Sequence, residues 1–381
     1  MGSDDRPLIV GAGPVGLAAA LFLARRGIRP RLIEMRDHPS RESRALAVNP
    51  RTLDLLEPTG VAASILEIGG RIRGAVMHRG PRVAARVSIA GAHPTHPYMV
   101  ALSQATTERL LEDALRAHGV EVERSVKLVA CRPGGGAVEA ELEHGAGGRH
   151  ESVRVPWMVA ADGSHSTARK QLNVGFPGST LKREWHLADI ALRTGLDEDH
   201  AHVLLLPGGV FVFLIRVIDP ALEGERDAPI WRVIANHTDP VSLIAGAQAV
   251  GEPLWSSSFH IAHRVCETFA RDGVYFAGDA AHIHSPIGAR GMNLGIEDAW
   301  VLAELAHVGK LDRYDAIKRP MDASVVRRVA FVSRIVAGEP AVLRAVRAIA
   351  FPGVLNIPMF QRRMRAVVSG LDHDLPKITT A

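Results

Sequence analysis

Short apolar runs alternate with a longer helix-like stretch at the start of the chain. Leu8–Val10 has the pattern of a short buried strand, and LAAALFLARRG, from Leu17 onward, has the apolar spacing of a helix. Residues 31–33 predict a second strand. A strand, a helix and a further strand in this order are typical of an α/β unit.

Two later stretches have a different pattern. Residues 74–97 and 176–261 are rich in Val, Ile and Leu and are broken by turn residues, which predicts an antiparallel sheet. Residues 318–365 contain ten Lys or Arg against two acids, Asp322 and Glu339, among apolar residues at helical spacing. This pattern favours terminal helices with apolar faces on the core, and a membrane surface or a partner is the alternative.

Composition narrows the class of protein. The 381 residues are 47% hydrophobic, enough for a large core and two or three domains. Cys131 and Cys266 are too few for a disulfide framework and favour a reducing compartment. A net charge of +4 does not indicate nucleic-acid binding, and no run approaches the roughly 18 apolar residues of a membrane span. With no signal-peptide pattern at the N-terminus, we expect a cytoplasmic protein.

The turn after the first strand carries the pattern G-x-G-x-x-G, as GAGPVG at residues 11–16. Gly11 permits the tight turn, Gly13 lets the backbone approach a pyrophosphate, and Gly16 lets helix and strand pack closely. The phosphate would meet free N–H groups at the helix N-terminus. The second strand ends at Glu34, where a carboxylate can bind a ribose. This unit predicts a dinucleotide site, for either FAD or NAD(P).

Two further segments run from a strand through a turn into a helix. In AGDAAHIHSPIGARGMNLGIEDAW, residues 277–300, glycines precede the helix, so its free N–H groups are predicted to receive a negative or electron-rich group. In VPWMVAADGSHSTARKQL, residues 155–172, the strand ends at Asp162. Asp162 either holds a turn through backbone N–H groups or belongs to a site.

The order and spacing of GAGPVG with Glu34, ADGSHS and AGDAAHIHSPIGARGMN resemble the three fingerprints of class A flavoprotein monooxygenases of the para-hydroxybenzoate hydroxylase family. The resemblance implies an α/β fold: a discontinuous Rossmann-like FAD-binding domain of the glutathione-reductase type, an antiparallel-sheet substrate domain and C-terminal helices. The implied boundaries are residues 1–73, 98–175 and 268–318 for FAD binding, 74–97 and 176–267 for the substrate, and 319–381 for the helical segment.

The resemblance also implies individual roles. Asp279 would bond a ribityl hydroxyl, and the helix N–H groups after Gly288 would face the flavin pyrimidine edge, where negative charge gathers on reduction. Arg290 would keep a positive charge beside the flavin, and the carbonyl of Pro286 would line the substrate pocket; these two are the predicted catalytic-site residues. The predicted cofactor contacts are Gly11, Gly13, Pro14, Val15, Gly16, Glu34, Met35, Arg36, Arg44, Gln104, Asp162, Asp279, Pro286, Gly288, Gly291, Met292 and Asn293.

Two of these residues have plainer alternatives. Arg44, which would lie near the FAD pyrophosphate, could be a solvated surface charge. Gln104, which would lie near the ribityl chain, could serve only as a helix N-terminal residue.

By the resemblance, the activity is that of an FAD-dependent monooxygenase. NADPH or NADH would reduce the flavin, O2 would form a flavin C4a-hydroperoxide, and one oxygen atom would pass to a small aromatic or polycyclic substrate. The alternatives are a flavin-binding protein without turnover, acting as a redox or binding module, and a halogenase or oxidase on the same fold. The Trp-x-Trp-x-Ile-Pro stretch of halogenases is not found in the chain. A homodimer is a further expectation.

The sequence does not identify a general base. The tyrosines are Tyr98, Tyr275 and Tyr314, of which the last two have the setting of core or structural residues. The candidate bases are His96, Tyr98, His202, His237 and His260. His282 and His284 have metal-like spacing, but no third ligand lies nearby in the sequence, so no metal site is predicted.

Overall fold

The computed structural model describes residues 2–39, 45–80, 82–145, 147–222, 224, 226–337 and 357–378. The strands of these residues, in chain order, are β1 (Gly2–Ser3), β2 (Leu8–Val10), β3 (Arg31–Glu34), β4 (Ala47–Val48), β5 (Gly70–Ile72), β6 (Gly74–Arg79), β7 (Arg82–Ser88), β8 (Met99–Ala101), β9 (Val122–Arg124), β10 (Val126–Gly134), β11 (Ala137–His144), β12 (His150–Val155), β13 (Met158–Ala160), β14 (Gly178–Arg193), β15 (His200–Leu205), β16 (Phe211–Arg216), β17 (Ile230–Ala235), β18 (Gln248–Ala249), β19 (Trp255–Val265), β20 (Ala270–Arg271), β21 (Val274–Phe276) and β22 (His282–Ile283). The α-helices are α1 (Pro14–Arg25), α2 (Pro50–Leu56), α3 (Val61–Ile68), α4 (Gln104–Arg116), α5 (Thr167–Gln171), α6 (Gly291–His307), α7 (Tyr314–Ala337) and α8 (Pro358–Ser369).

A mostly parallel sheet forms the first layer. In the described part of the chain it has six strands in the order β20-β21-β13-β2-β3-β9. β21, β13, β2, β3 and β9 are parallel, whereas β20 runs antiparallel at the edge. Every residue of β2, β13 and β21 is buried, as expected for strands covered on both faces. The carboxyl ends of these parallel strands share one edge, so the turns that follow them can meet there.

A larger sheet forms the second region. Over the described residues its strands follow the order β22-β19-β14-β17-β16-β15-β6-β7, and β18 pairs with β14. The predicted antiparallel arrangement holds for every pair except β6 with β15, which is parallel. β6 and β15 belong to two distant stretches of chain and are not joined by a hairpin, so the connection does not impose an antiparallel pairing.

The side chains of the larger sheet alternate between two faces. On β17, Trp231 and Val233 lie in an apolar core with Val212. Ile230 and Ile234 point the other way, and this second side is called the inner face. The inner face packs on the β4-β8-β5 sheet, because Ile230 shares a core with Ala47 of β4.

Smaller sheets and the C-terminal helices complete the described fold. One sheet has the order β1-β12-β11-β10 and another β4-β8-β5. α7 buries Val325, Val326 and Val329 while Arg327 and Arg328 are exposed, which is the core-packed helix favoured by the sequence pattern. No helix among the described residues is long and apolar enough to span a bilayer. The α/β fold class is confirmed, and the residue-level domain boundaries stay a prediction.

Candidate active site

The first glycine turn joins β2 to α1, and its three glycines have different surroundings. A Cβ on Gly11, whose φ is +99°, would lie 2.4 Å from the carbonyl oxygen of Ala161, and a Cβ on Gly16 would lie 1.8 Å from the carbonyl oxygen of Gly11. A Cβ on Gly13 would meet nothing within 4 Å. Gly11 and Gly16 are therefore required by close packing, whereas Gly13 leaves open space at the start of α1, which begins at Pro14.

Glu34 ends β3 and reaches the glycine turn. Its Oε2 accepts a hydrogen bond from the Ala12 N–H at 2.9 Å, and its Oε1 accepts from the Arg36 N–H at 3.1 Å. Burial raises the carboxyl pKa, but these hydrogen bonds and the Arg36 guanidinium outweigh it, so the pKa of Glu34 is lowered. Met35 is 67% exposed beside them. An ionised, oriented carboxylate at this position fits the predicted ribose contact.

Gln104 begins α4 and connects two parts of the candidate site. Its Oε1 accepts from the Ala45 N–H at 2.9 Å, and its Nε2 donates to Glu108 Oε1 at 2.8 Å. Arg44, the residue before Ala45, lies outside the described residues, so its predicted role stays a prediction. Glu108 was missed from the sequence, although its spacing of four residues from Gln104 on a helix was an available signal. Burial raises the pKa of Glu108 to about 7.

The second glycine-rich segment meets the first one directly. A Cβ on Gly278 would lie 2.8 Å from Val15 Cγ2, and a Cβ on Gly295 of α6 would lie 2.4 Å from the same atom. Val15 therefore fills a gap that only glycine at both positions can leave open. Asp279 follows Gly278 and is exposed at the edge of this contact. Two motifs more than 250 residues apart in the sequence thus form one surface, as the resemblance predicts.

A fully buried charge cluster, His282, Asp298, Lys318 and Asp322, lies behind this turn. Asp298 Oδ2 accepts from the Gly278 N–H at 2.9 Å and lies 2.8 Å from His282 Nε2. Lys318 Nζ is 3.0 Å from Asp298 Oδ1 and 2.8 Å from Asp322 Oδ1. The cluster thus links the turn before Asp279 to α6 and α7.

The electrostatics of this cluster follow from burial and pairing. Burial raises the pKa of Asp298, but Lys318 and His282 outweigh it and leave the pKa below its usual value. Burial and the nearby Asp298 carboxylate raise the pKa of Asp322 to about 8. Burial lowers the pKa of His282, but the carboxylates of Asp298 and Asp322 outweigh it and leave the pKa raised.

The sequence offered no third ligand for a His282–His284 pair, whereas the fold brings two acids to His282, and the absence of a metal site stays a prediction. His282, Asp298 and Asp322 can each offer a ligand atom within 4.8 Å of the others. The acids come from α6 and α7, which sequence spacing cannot place. Lys318 supplies a cation to both carboxylates, so the cluster has charge compensation from the protein itself.

The loop from Pro286 to the start of α6 is held by Asn293. Asn293 Nδ2 donates to the carbonyl oxygens of Ala47, at 2.8 Å, and Ala289, at 2.7 Å. Its Oδ1 accepts from the Asn49 N–H at 3.0 Å. These contacts give the predicted cofactor residue a positioning role. Pro286 is exposed, Met292 is buried, and neither Gly288 nor Gly291 packs closely: a Cβ on Gly291 would meet nothing within 4 Å.

Arg290 is completely buried and points toward the C-terminal segment. Its Nη1 donates to the Val367 carbonyl at 2.8 Å, and its Nη2 lies 3.1 Å from Asp372 Oδ1. Asp372 also pairs with Arg328 of α7. The guanidinium is therefore partly neutralised by an acid that the sequence did not connect with it. The predicted electrostatic effect of Arg290 on the flavin stays a prediction.

Asp162 follows β13 and holds the start of α5. Its Oδ2 accepts from the Thr167 N–H at 2.7 Å and from the Ala168 N–H at 3.3 Å. Its Oδ1 is buried and has no hydrogen-bond partner among the described residues. Burial raises the pKa of this carboxyl. The structural alternative raised by the sequence is thus present, and a cofactor contact by Asp162 stays a prediction.

The five candidate bases lie in varied places. His96 stacks on His93 near Asp54, and Arg71 lies over the Tyr98 ring. His202 contacts His78, 3.0 Å between ring nitrogens, and the Trp231 ring, which belongs to the face opposite the inner one. His237 bonds to the Asp239 backbone, and His260 is exposed. None of these contacts involves the loop at residues 286–291.

The inner face also carries a polar pair. Arg232 donates to Asp189 through Nε at 2.8 Å and through Nη2 at 2.6 Å, and both residues are buried. The guanidinium lies 5.7 Å from the Trp255 ring centroid. Sequence patterns do not indicate this pair, because its members lie on β14 and β17 and are matched only by strand register.

The described residues fit FAD. Open space at Gly13 lies over the N-terminus of α1, where a pyrophosphate would receive backbone N–H groups. The oriented Glu34 carboxylate lies beside it. Asp279 follows Gly278, which packs on Val15, and α6 begins at Gly291 with open space around it. The two helix N-termini are thus placed for the two halves of one extended dinucleotide.

Comparisons with known proteins agree with this geometry. Residues 6–329 match the model of the FAD-binding-domain family. The chain is 34% identical to 6-methylpretetramide 4-monooxygenase of Streptomyces rimosus, over 96% of this chain and 67% of that protein. It is 32% identical to a rifampicin monooxygenase of Streptomyces venezuelae, over 87% and 72%.

Solved structures agree as well. The fold matches p-nitrophenol 4-monooxygenase from Pseudomonas putida DLL-E4 with a TM-score of 0.83 and 22% identity, over 98% of this chain and 99% of that one. The chain therefore belongs to the FAD-binding-domain family and is an FAD-dependent aromatic monooxygenase, as the resemblance predicted.

Proposed function

We propose that this monooxygenase hydroxylates a polycyclic phenol that lies between the inner face of the large sheet and the loop at residues 286–291. The observation that carries the proposal is that apolar residues of these two parts line the same clusters. Phe213 and Ile230 share a core with Ala289 of the loop, and Ile234 shares another with Ile287. A wide apolar wall beside the flavin-binding loop suits a large aromatic ring system.

The relatives support the same substrate class. Two that exceed 30% identity are named for 6-methylpretetramide and rifampicin, which are polycyclic compounds. Their names describe those proteins, and the transfer to this chain rests on the apolar inner face. The small-aromatic alternative predicts instead that monocyclic phenols are the better substrates.

Some residues of the chain would bind FAD, and others would control the surroundings of the flavin and the substrate. Bound FAD would supply hydride acceptance from NADPH or NADH and the reaction with O2. We propose that the start of α1 binds the pyrophosphate, Glu34 the ribose and Asp279 the ribityl chain. The first N–H groups of α6 would stabilise negative charge at the flavin pyrimidine edge. The inner face would exclude water and orient the aromatic ring.

Stimulated cofactor oxidation tests this proposal. The FAD-loaded protein is assayed for NADPH and NADH oxidation with matched tetracyclic, bicyclic and monocyclic phenols, and products are analysed after reaction under ¹⁸O2. We expect the tetracyclic phenols to accelerate oxidation most and to gain one ¹⁸O atom. Hydrogen peroxide formation without labelled product would indicate an oxidase. Equal acceleration by monocyclic phenols would contradict the preference for polycyclic substrates.

A pair of variants on one strand links this activity to the inner face. Phe213→Ala removes a ring from the inner face, whereas Leu214→Ala removes a side chain from the opposite core. We expect Phe213→Ala to raise the KM for a tetracyclic phenol, and Leu214→Ala to lower stability with little change in KM. An equal effect of both variants on KM would count against a substrate wall at Phe213.

Location and assembly are separate proposals. Cys131 and Cys266 are free and buried, and burial raises their thiol pKa values to about 11 and about 12. Unpaired cysteines support the predicted cytoplasmic location. The predicted homodimer is tested by light scattering on the FAD-loaded protein, where a monomer mass at micromolar concentration would contradict it.

A further inference from the structure

Two histidines that the sequence analysis did not consider as bases lie at the end of the β19–β22 pair. Arg264 is paired with Ile283 and Val265 with His282 in antiparallel register. Continuing this register by one residue places His263 opposite His284. His284 is two residues before Pro286, so this pair adjoins the loop that the proposed function places beside the substrate.

Three ring nitrogens of this pair are buried without a hydrogen-bond partner among the described residues. They are Nδ1 and Nε2 of His263 and Nε2 of His284. His263 is only 4% exposed. Buried polar atoms in native proteins nearly always have a partner, so three orphaned nitrogens in adjacent rings point to a group that binds there.

The hydrogen bond made by the fourth nitrogen fixes the chemistry of His284. Its Nδ1 lies 2.8 Å from the Ser285 carbonyl oxygen, which can only accept, so Nδ1 carries the proton. In the neutral ring, Nε2 is then an acceptor. A neutral His263 has one N–H donor to offer. A hydroxyl group matches this pair, because its hydrogen is donated to one ring while its oxygen accepts from the other.

The surroundings favour neutral rings and an apolar ligand. Burial lowers the pKa of His263 to about 4, with a smaller contribution from Arg334 of α7. Burial lowers the pKa of His284 to about 3, partly offset by Ser285, and His282, Arg290 and His263 lower it further. Ile261 and Ile287 flank the pair in sequence and belong to the same apolar core. Uncharged rings in apolar surroundings select a neutral aromatic hydroxyl over an anion.

We propose that His263 and His284 form a binding site for a phenolic hydroxyl of the substrate, with His284 Nε2 accepting its hydrogen and the His263 N–H donating to its oxygen. The site rests on the proposed hydroxylation of a phenol and deepens it. The two histidines orient the ring relative to the flavin through this hydroxyl. No proton leaves the substrate in the bound state, because both rings are weak bases.

Binding measurements on the FAD-loaded protein test this site with paired probes. The probes are 2-naphthol and p-nitrophenol with their methyl ethers, 2-methoxynaphthalene and p-nitroanisole, and binding is followed by the change in flavin absorbance. We expect His263→Phe and His284→Phe each to raise the Kd of both phenols about tenfold. The Kd values of the ethers should change less than twofold. Between pH 6 and 8 the Kd of 2-naphthol should stay constant, because both rings remain neutral.

His260→Phe is the matched control, because His260 lies on β19 but is exposed. We expect it to leave all four Kd values unchanged. His263→Asn, which keeps a donor and an acceptor, should retain most of the phenol binding. His263→Phe should leave the FAD affinity unchanged and the Tm unchanged or higher, since it removes buried orphaned nitrogens.

Three results would overturn the site. The first is that the wild type binds phenols no better than ethers. The second is that the phenylalanine variants bind phenols as the wild type does. The third is that these variants lose Tm and the binding of phenols and ethers together, which would indicate a structural role. In each case, aromatic-stimulated NADPH or NADH oxidation by the wild type would show that the hydroxylase proposal stands on its own. If aromatic compounds do not stimulate NADPH or NADH oxidation by the wild type, the proposed function itself is contradicted.

Discussion

The two glycine-rich turns place helix N-termini at one site but are stabilised in different ways. The first turn is held by a neighbour from the same βαβ unit, Glu34, through an ordinary hydrogen bond to Ala12. The second is held by Asp298, which is itself paired with Lys318 of α7 in a fully buried cluster. The first turn thus depends on local sequence, whereas the second depends on buried charges brought together by three separate elements.

This difference indicates what a mutation near each turn would affect. A hydrogen bond between a carboxylate and a backbone N–H contributes a modest amount, and its loss is local. A buried ion pair gives little net stability when complete, but removal of one partner leaves an uncompensated buried charge. We therefore expect mutations near the second turn to affect folding, and mutations near the first turn to affect mainly FAD binding.

The largest expected effect is that of Lys318→Met. It leaves Asp298 and Asp322 buried without their ammonium partner, and we expect a loss of about 3–5 kcal/mol in the free energy of unfolding, measured in urea. Lys127→Met, at an exposed position, should change it by less than about 0.5 kcal/mol. Adding Asp322→Leu to Lys318→Met should recover part of the loss. A loss of less than about 1 kcal/mol in the free energy of unfolding would show that the two carboxylates do not depend on Lys318 for charge compensation.

The second effect concerns Glu108 on α4, which accepts a hydrogen bond from Gln104. Its pKa is about 7 in the fold against an ordinary 4.5, so the native state holds the proton more tightly than the unfolded state. Stability of the apoprotein should therefore fall as pH rises from about 4.5 to 7 and then level off. Glu108→Gln should remove this dependence and be more stable than the wild type by about 3 kcal/mol at pH 8, but not at pH 4.

Urea unfolding at pH 4, 5, 6, 7 and 8 measures this dependence. Glu121→Gln is the control, because Glu121 is exposed. Parallel pH profiles for the wild type and Glu108→Gln would refute the raised pKa.

The third effect is on cofactor affinity. Glu34→Ala removes the carboxylate that ends β3, and we expect FAD to bind about 10- to 100-fold more weakly, as for a lost charge-assisted hydrogen bond of about 1.5–3 kcal/mol. Fluorescence titration of the apoprotein with FAD measures the Kd, and Glu121→Ala provides the comparison. An unchanged Kd for Glu34→Ala would remove the ribose contact from the proposed site.

The smallest effect separates the two possible roles of Arg290. If its charge reaches the flavin, Arg290→Met should lower the two-electron potential and Asp372→Asn, which unmasks the charge, should raise it. Each shift should be about 20–30 mV, or about 1 kcal/mol. If Arg290 only anchors Val367 and Asp372, both variants should lower Tm while the potential stays constant. A redox titration with a parallel thermal melt distinguishes these outcomes.

Much of the fold followed from local patterns. The strand at Leu8–Val10 and the strand ending at Glu34 form as predicted, and the helix predicted from Leu17 forms but begins earlier, at Pro14. These elements were predictable because backbone conformation and apolar periodicity are encoded over a few residues. The roles of Gly11 in the tight turn and of Gly16 in close packing were also predictable, since each role follows from the position of the glycine in the motif. The parallel pairing of β6 with β15 was not, because it joins distant stretches of chain.

The candidate site divides in the same way. The sequence by itself determined the three segments that are predicted to contact FAD, because their motifs specify turns and helix starts locally. Only the tertiary structure decided the partners: Asp298 and Lys318 behind the second turn, Asp372 on Arg290, and the β19–β22 pairing from which we infer that His263 lies opposite His284. The physical reason is that burial and nearby charges set the pKa of an ionisable group and determine whether a polar atom has a partner. Both depend on where remote elements pack.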